Sequence, residues 1–196
     1  MALTRSTDPL VWIDCEMTGL NPTTDSILSI CCMITDHKLN PIPVSGTAYN
    51  AVIRTPKSVL DSMSQWCIDT HGRTGLTAAC QSDSAITAEQ AATALRKFIE
   101  SHIPSGTTTG KPLLAGNSVH ADKMFLMQSP WDIVLEPLHY RIFDVSAIKE
   151  AARRWCSEDV LRRAPEKRLV HAADDDVRES IEEARFYMGL FETREL

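Results

Sequence analysis

The sequence predicts an α/β protein in which helices flank a mixed sheet of five strands. Three strand patterns joined by short turns come first, at Leu10–Met17, Ser26–Thr35 and Tyr49–Thr55, as in an antiparallel meander. Two strand–helix units follow, with strands at Pro112–Gly116 and Arg141–Val145. Since a helical crossover joins parallel strands, we expect one sheet with an antiparallel portion and a parallel portion.

Apolar and β-branched residues justify the first two strands. Val11-Trp12-Ile13 favours extended backbone, and Gly19 with Asn21-Pro22 ends the first strand. The second strand is almost continuously apolar, as expected for a strand covered on both faces. A turn at Asp36–Asn40 then leads to the third strand.

The spacing of apolar residues changes to a helical period after Pro56, which precedes a short helix containing Val59, Met63, Trp66 and Cys67. Thr87 and Gln90 form a capping-box pattern at the start of a helix over Thr87–His102. The remaining helices are expected at Ser118–Gln128, Ser146–Trp155 and Asp174–Met188, with a flexible loop at Ser105–Lys111 and a polar connection at Cys156–Val170.

Length and composition indicate one domain over residues 1–196 with a flexible stretch at 1–8. The net charge of −6 argues against broad affinity for long nucleic acid, which needs a basic surface. The six cysteines form no C-x-x-C pair and are expected to be reduced thiols, with neither a zinc site nor disulfides. Without a secretory segment, we expect a cytoplasmic protein, or a mitochondrial one if a longer precursor exists.

Two acids, Asp14 and Glu16, follow the apolar part of the first strand. Residues two apart on a strand point to the same face, so these carboxylates are expected side by side, where they repel each other and lose hydration. A cation between them would relieve that cost, and oxygen ligands suit Mg²⁺ or Mn²⁺. The alternative is a solvated strand end carrying two surface acids.

Two further acids stand in the first turns of predicted helices, Asp122 and Asp176. An acid in that place also complements the helix dipole, which is the plainer explanation and the one we adopt for Asp174 and Asp175. His171 precedes Asp176 by five residues, which on one helix would place the two on different faces. His171 is therefore expected on the loop before the helix, turned toward whatever Asp176 binds.

The order D-x-E, then D, then H-x-x-x-x-D resembles the histidine-containing branch of the DEDD exonuclease superfamily. The local sequence motifs are similar to those of the oligoribonuclease family within this branch, and the similarity covers nearly the whole chain from Leu10. The stretches that carry this resemblance are Trp12–Leu20, Ala115–Ser118, His139–Arg141, Asp144–Ser146 and Val177–Ser180.

The resemblance implies a ribonuclease H-like fold, a homodimer and 3′-to-5′ hydrolysis of very short RNA, dinucleotides above all. It implies that two divalent cations, Mg²⁺ or Mn²⁺, are held by four acids, Asp14, Glu16, Asp122 and Asp176. It also implies that His171 is the general base. Leu20 would wedge against a base and Trp66 would line the base pocket. The 5′-phosphate would contact Ser118, Arg141 and Ser146, and the partner subunit would supply His139, Tyr140 and Arg141.

Plainer explanations exist for several of these residues. Trp66 could be core, Leu20 ordinary turn packing, and His139 and Tyr140 a cap on the sheet within one subunit. The chain departs from the family pattern at Ala147, Ala172 and Asp174 and in its longer 105–111 loop. Two other functions remain open: a DNA-trimming or proofreading exonuclease, and a non-catalytic nucleotide-binding protein on the same fold.

Overall fold

The computed structural model describes residues 5–43, 47–103, 110–166 and 173–192. Within these ranges six strands form one sheet: β1 (Leu10–Met17), β2 (Ile27–Thr35), β3 (Pro41–Ile42), β4 (Tyr49–Val52), β5 (Leu113–Gly116) and β6 (His139–Asp144). The strand order is β3-β2-β1-β5-β6, and β4 also pairs with β2. Since β1 is antiparallel to β2 and parallel to β5, which is parallel to β6, the mixed α/β sheet is confirmed.

The sixth strand is β3, which the sequence pattern did not predict. It pairs with β2 at only two positions, Ile34 with Ile42 and Thr35 with Pro41, beside the pairing of Ser29–Cys32 with β4. A two-residue strand is too short to show any alternation of apolar and polar residues. The expected strand at Tyr49–Thr55 is also shorter, because regular pairing ends at Val52.

The helices in the described ranges are α1 (Lys57–Asp61), α2 (Gln65–Arg73), α3 (Leu76–Ala79), α4 (Ala88–His102), α5 (His120–Leu126), α6 (Asp132–Leu135), α7 (Val145–Trp155), α8 (Glu158–Leu161) and α9 (Ala173–Glu192). The Thr87–Gln90 capping box is present. The single short helix expected after Pro56 is instead two helices, because Ser64 caps α2 through a bond from the N–H of Cys67. Three one-turn helices, α3, α6 and α8, were not predicted, since four residues define no helical period.

Apolar side chains cover both faces of the sheet. One face carries Val11, Ile13 and Cys15 of β1 against α4, α5 and α6. The other carries Leu10 and Trp12 of β1 against α7 and α9. Because side chains alternate between the two faces of a strand, the even-numbered side chains of β1 lie on the face against which α9 packs.

The carboxyl ends of the parallel strands β1, β5 and β6 lie at one edge of the sheet. Gly116 ends β5 there, and a Cβ on it would lie 3.0 Å from the Ile13 carbonyl oxygen. A larger residue at this position would push the Ile13 carbonyl or Val119 aside, so glycine favours this close approach of β5 to β1. The connections that follow these strands therefore lie close together at this edge, where sites of α/β sheets are commonly found.

Some of the expectations lie outside the described residues: His171, Ala172, residues 104–109 and the first four residues of the chain. No helix in the described ranges is both long and apolar enough to cross a membrane.

Candidate active site

Three of the predicted acids meet at the carboxyl edge. One carboxylate oxygen from each of Asp14, Glu16 and Asp176 lies within 4.8 Å of the other two. Asp14 and Glu16 have the same parity as Trp12, whose side chain packs on the α9 side of the sheet, and Asp176 stands in the first turn of α9. Strand alternation and the position of the α9 start thus produce this group, which we call the acidic cluster.

The acidic cluster is electrostatically costly without a cation. Burial, and then repulsion from Asp176 and Asp122, raises the pKa of Glu16 to about 7. A carboxyl that keeps its proton near neutrality because it is buried and faces other carboxylates is a group that a divalent cation would deprotonate and bind. The donor set of the cluster, three carboxylates and no thiolate, suits a hard ion such as Mg²⁺ or Mn²⁺.

Asp122 joins this region from the other face of the sheet. It lies in the first turn of α5, is 6% exposed, and its Oδ1 accepts a hydrogen bond of 3.0 Å from the N–H of Cys15. β1 pairs with β5 only over Leu10–Trp12, so Asp122 satisfies a strand donor beyond that pairing. Burial raises the pKa of Asp122 to about 7, against the lowering effect of the Cys15 N–H.

His71, which the sequence reasoning did not single out, also borders the acidic cluster. Its side chain is 1% exposed, and its Nδ1 lies 3.9 Å from Glu16 Oε2. Its Nε2 lies 3.0 Å from the Met17 carbonyl oxygen, which can only accept. His71 therefore ties helix α2 to the end of β1 beside Glu16. No sequence motif marks it, since its partner is 54 residues away.

A second group of polar side chains follows β5 and β6 at the same edge. The Ser118 N–H donates to Asp144 Oδ1 and to Ser146 Oγ, both at 2.9 Å. The two serine Oγ atoms lie 3.0 Å apart, and Asn117 Oδ1 accepts from Ser146 Oγ at 3.1 Å. We call these four residues the hydroxyl cluster. Asn117 and Asp144 belong to stretches that suggested the family resemblance, yet no role had been assigned to either.

Ser118 adopts a backbone conformation that is unusual for a residue with a side chain. Its φ of 52° lies in the left-handed region, which costs of the order of 1 kcal/mol for a residue other than glycine. The bonds from its N–H to Asp144 and Ser146 hold it there. Strain maintained in this way next to a cluster of acids is typical of a site that must present particular groups to a ligand.

His139, Tyr140 and Arg141 lie at the opposite end of β6 from the hydroxyl cluster. His139 begins β6 and Asp144 ends it, a separation of about 16 Å at the usual rise of a strand. The Arg141 guanidinium carbon lies 5.5 Å from the centroid of the Tyr140 ring, and Tyr140 is 72% exposed. The fold of one chain therefore does not bring His139 and Tyr140 to the serines.

Leu20 and Trp66 are both surface residues, with exposed fractions of 86% and 59%. This excludes the explanation of Trp66 as core. Beside Glu16 a cavity of about 320 Å³ extends between Asn50, Leu76 and the start of α9. That volume is at the lower end of the range for small-ligand pockets. Leu20 and Trp66 are not among the residues that line this cavity.

Sequence comparisons identify the family. The exonuclease family model RNase_T matches residues 11–184. The chain is 44% identical over 178 residues to the mitochondrial oligoribonuclease of Mus musculus, covering 91% of this chain and 71% of that protein. It is 41% identical over 189 residues to the mitochondrial oligoribonuclease of Saccharomyces cerevisiae, covering 94% and 68% of the two proteins.

Comparison of structures supports the same fold. A zinc-bound complex of E. coli exonuclease I with single-stranded DNA superimposes with a TM-score of 0.67 at 14% identity, over 95% of this chain and 42% of that one. This chain thus spans under half the length of exonuclease I, and at this identity the likeness shows the ribonuclease H-like fold alone. By the family match and the relatives, the chain belongs to the oligoribonuclease family of the DEDD exonuclease superfamily and is a 3′-to-5′ exoribonuclease.

Proposed function

We propose that this exoribonuclease acts on very short single-stranded RNA, above all dinucleotides, and releases nucleoside 5′-monophosphates with the aid of two divalent cations and a histidine general base. The observation that carries the proposal is the acidic cluster, in which Asp14, Glu16 and Asp176 converge within 4.8 Å. Asp122 lies next to it, close enough to raise the pKa of Glu16.

Phosphodiester hydrolysis needs an activated water and stabilisation of charge on both the attacking and the leaving oxygen. Divalent cations bound by the four acids would supply both. Asp14, Glu16 and Asp176 would hold them from the α9 side of the sheet, and Asp122 from the α5 side. The water oxygen bonds to phosphorus as the bond from phosphorus to the 3′ oxygen breaks. The upstream nucleotide keeps a 3′-hydroxyl, and the released nucleotide carries the 5′-phosphate.

His171 is the proposed base that accepts the proton of the attacking water. An unperturbed imidazole titrates near neutrality, which suits this role. Because His171 lies outside the described residues, its role depends on the family resemblance and on its place two residues before α9. Ala172, where the family has a larger polar residue, is not one of the five positions matched to the family's catalytic residues.

Substrate length would be limited by contacts at both ends. The hydroxyl cluster follows β5 and β6, the first and second strands from β1. It therefore lies one to two strand spacings, roughly 5 to 10 Å, from the end of β1, where the acidic cluster stands. We propose that Ser118, Ser146 and Arg141 bind the 5′-phosphate while the acidic cluster holds the scissile phosphate. A longer RNA would then have no room beyond the hydroxyl cluster. Leu20 and Trp66, both exposed, would contact the bases.

A homodimer is part of the proposal. Arg141 belongs to the His139–Arg141 stretch, which lies toward the end of β6 away from the hydroxyl cluster. A second copy would present this stretch to the serines of its partner, and the exposed Tyr140 supports such a contact. Because the mouse relative is named as mitochondrial, we propose the mitochondrion, besides the cytoplasm, as a compartment for this chain.

Digestion of a 5′-labelled RNA ladder of two to ten nucleotides, with Mn²⁺ and with a chelator, tests the proposal. We expect fast, cation-dependent cleavage of the dinucleotide and a steep decline with length, and His171→Ala should lose this cleavage while remaining folded. Equal rates for all lengths would contradict the proposed substrate. A DNA dinucleotide that is cleaved as fast as the RNA one would favour the DNA-trimming alternative.

A further inference from the structure

The hydroxyl cluster is held from behind by a buried network that begins at Asn117. Asn117 Oδ1 accepts from Ser146 Oγ at 3.1 Å, and Ser146 Oγ in turn accepts from the Ser118 N–H at 2.9 Å. On its other side, Asn117 Nδ2 donates to Ser180 Oγ at 2.9 Å and to Glu183 Oε2 at 3.1 Å. The Asn117 amide thus joins the hydroxyl cluster to helix α9.

Glu183 is the charged member of this network and is only 2% exposed. Its Oε1 accepts from Tyr187 Oη at 3.1 Å and lies 3.0 Å from Lys149 Nζ. Burying a carboxylate costs free energy that such partners offset only in part, and apolar residues often replace buried ion pairs without loss of stability. The position of this carboxylate therefore suggests a role beyond stability.

The Glu183 carboxylate can determine which way the Asn117 amide faces. A carboxylate only accepts hydrogen bonds, so the NH₂ group of Asn117 must point to Glu183 and its oxygen must point to Ser146. With an apolar residue in place of Glu183, only Ser180 would remain to hold the NH₂ group, and the amide could turn. Ser146 would then lose its fixed acceptor, and Ser118 would lose the ordered partner of its strained backbone.

Helix α9 connects this network to the acidic cluster. Asp176 and Glu183 are seven residues apart on α9, about two helical turns, so both face the sheet side of the helix. Ser180 lies between them and donates to the Asp176 carbonyl oxygen at 2.8 Å. One helix therefore sets the position of a metal-binding acid and of the residue that holds the hydroxyl cluster.

We propose that Glu183 is a positioning residue that, through Asn117, holds Ser118 and Ser146 in place for the 5′-phosphate of the substrate. This rests on the proposed function, since it assumes that the hydroxyl cluster binds that phosphate. Glu183 contacts neither the substrate nor a cation, and its effect is confined to binding of the substrate 5′-phosphate. Removal of Glu183 should therefore affect only substrates that carry a 5′-phosphate.

The test compares a dinucleotide that carries a 5′-phosphate with the same dinucleotide lacking it. For the native protein we expect a lower KM with the 5′-phosphate. Glu183→Leu keeps a similar volume but offers no acceptor, and it should raise the KM of the phosphorylated substrate about tenfold, the effect of one charge-assisted hydrogen bond. Its kcat/KM for the unphosphorylated substrate should stay unchanged. Glu183→Gln, which keeps one acceptor oxygen for Asn117, should restore most of the preference.

Tyr187→Phe is the matched control, because it removes a different bond to the same carboxylate and leaves Asn117 untouched. It should keep the preference for the 5′-phosphate. If Glu183→Leu does not fold, Ser180→Ala combined with Glu183→Gln weakens both acceptors of the Asn117 NH₂ group and should reduce the preference. A preference that survives in Glu183→Leu or in the Ser180→Ala, Glu183→Gln double variant, or a loss shared equally by both substrates, would overturn the inference.

The native protein separates this inference from the proposed function. If it shows no preference for the 5′-phosphate, the proposed phosphate site is wrong and the role of Glu183 is wrong with it. If the native protein shows the preference and Glu183→Leu retains it, the inference alone is overturned.

Discussion

The acidic cluster and the hydroxyl cluster share one edge of the sheet but differ in how they are held. In the acidic cluster, carboxylates face one another, and burial with mutual repulsion raises the pKa of Glu16 to about 7. In the hydroxyl cluster, donors and acceptors alternate, so that Asp144, Ser118, Ser146 and Asn117 satisfy one another. The first arrangement stores repulsion, and the second is already complete in the protein alone.

This difference indicates what each cluster gains from its ligand. On the proposed function, a cation would relieve repulsion in the acidic cluster, and its binding would be strongly coupled to the charge state of the carboxyls. The proposed phosphate would find oriented groups at the hydroxyl cluster and would not have to order them, and preorganisation of this kind improves affinity by lowering the cost of binding. Loss of a carboxylate should therefore abolish chemistry, whereas loss of a hydroxyl-cluster contact should mainly weaken substrate binding.

The largest expected effect is that of Asp14→Asn. The amide keeps the shape of the side chain but removes one charge from the cation site, so kcat for a diribonucleotide should fall by about 10³ or more. The control is Asp174→Asn. Asp174 lies in the same turn of α9 as Asp176 but outside the acidic cluster, and it pairs with Arg178 at 3.3 Å. Comparable activity in the two variants would show that the acidic cluster is not the catalytic centre.

Arg141→Ala should have the next largest effect, and it tests whether a second copy adds its Arg141 to the phosphate site at the hydroxyl cluster. Loss of one bidentate contact to phosphate should raise KM about 10- to 100-fold. If the partner supplies Arg141, mixing Arg141→Ala with Asp14→Asn chains would create heterodimers with one intact site. With equal amounts of the two chains, activity should then return to about a quarter of the native value after subunit exchange in a two-fold symmetric dimer.

The two parent variants, each assayed alone at the same total concentration, are the controls for the mixing experiment. A mixture no more active than the sum of its parents, in a sample that is dimeric by light scattering, would mean that Arg141 serves the site of its own chain. A monomeric sample with full activity would contradict the dimer itself.

The sequence predicted the acidic cluster better than the hydroxyl cluster, for a physical reason. Strand alternation puts Asp14 and Glu16 on one face whatever the rest of the fold does, and Asp176 follows from the first turn of α9. The network behind the hydroxyl cluster has no such local rule. Asn117 meets Glu183 across 66 residues, and only the packing of α9 against the sheet brings them together.

The same distinction explains the misses in the fold. Long elements with a clear period, such as β1 and α4, were predicted within one residue of their observed bounds. β3, α3, α6 and α8 have between two and four residues and depend on tertiary context. His71 was missed because a buried histidine within an amphipathic helix looks like core until its distance of 3.9 Å to Glu16 is known.

The smallest expected effect is on stability, and it measures the cost of burying the carboxyls of Glu16 and Asp122 apart from catalysis. In the cation-free protein, the pKa values of Glu16 and Asp122 are raised from 4.5 and 3.8 to about 7. The folded state therefore binds more protons than the unfolded state between about pH 4 and pH 7. This contribution to stability is complete below the unfolded pKa values and is lost as the pH rises through 7. Thermal melts of chelator-treated protein should thus show the midpoint falling by several degrees between pH 5 and pH 8, on the order of 2 kcal/mol for each carboxyl. Asp122→Asn should flatten this slope because it removes one of the two titrating groups.

Mn²⁺ at pH 8 should restore the midpoint, since it binds the folded state selectively. A midpoint that rises over this range, or a slope that Asp122→Asn leaves equally steep, would mean that burial and repulsion do not keep these carboxyls protonated near neutrality, and the contrast between the two clusters would fail at its acidic end.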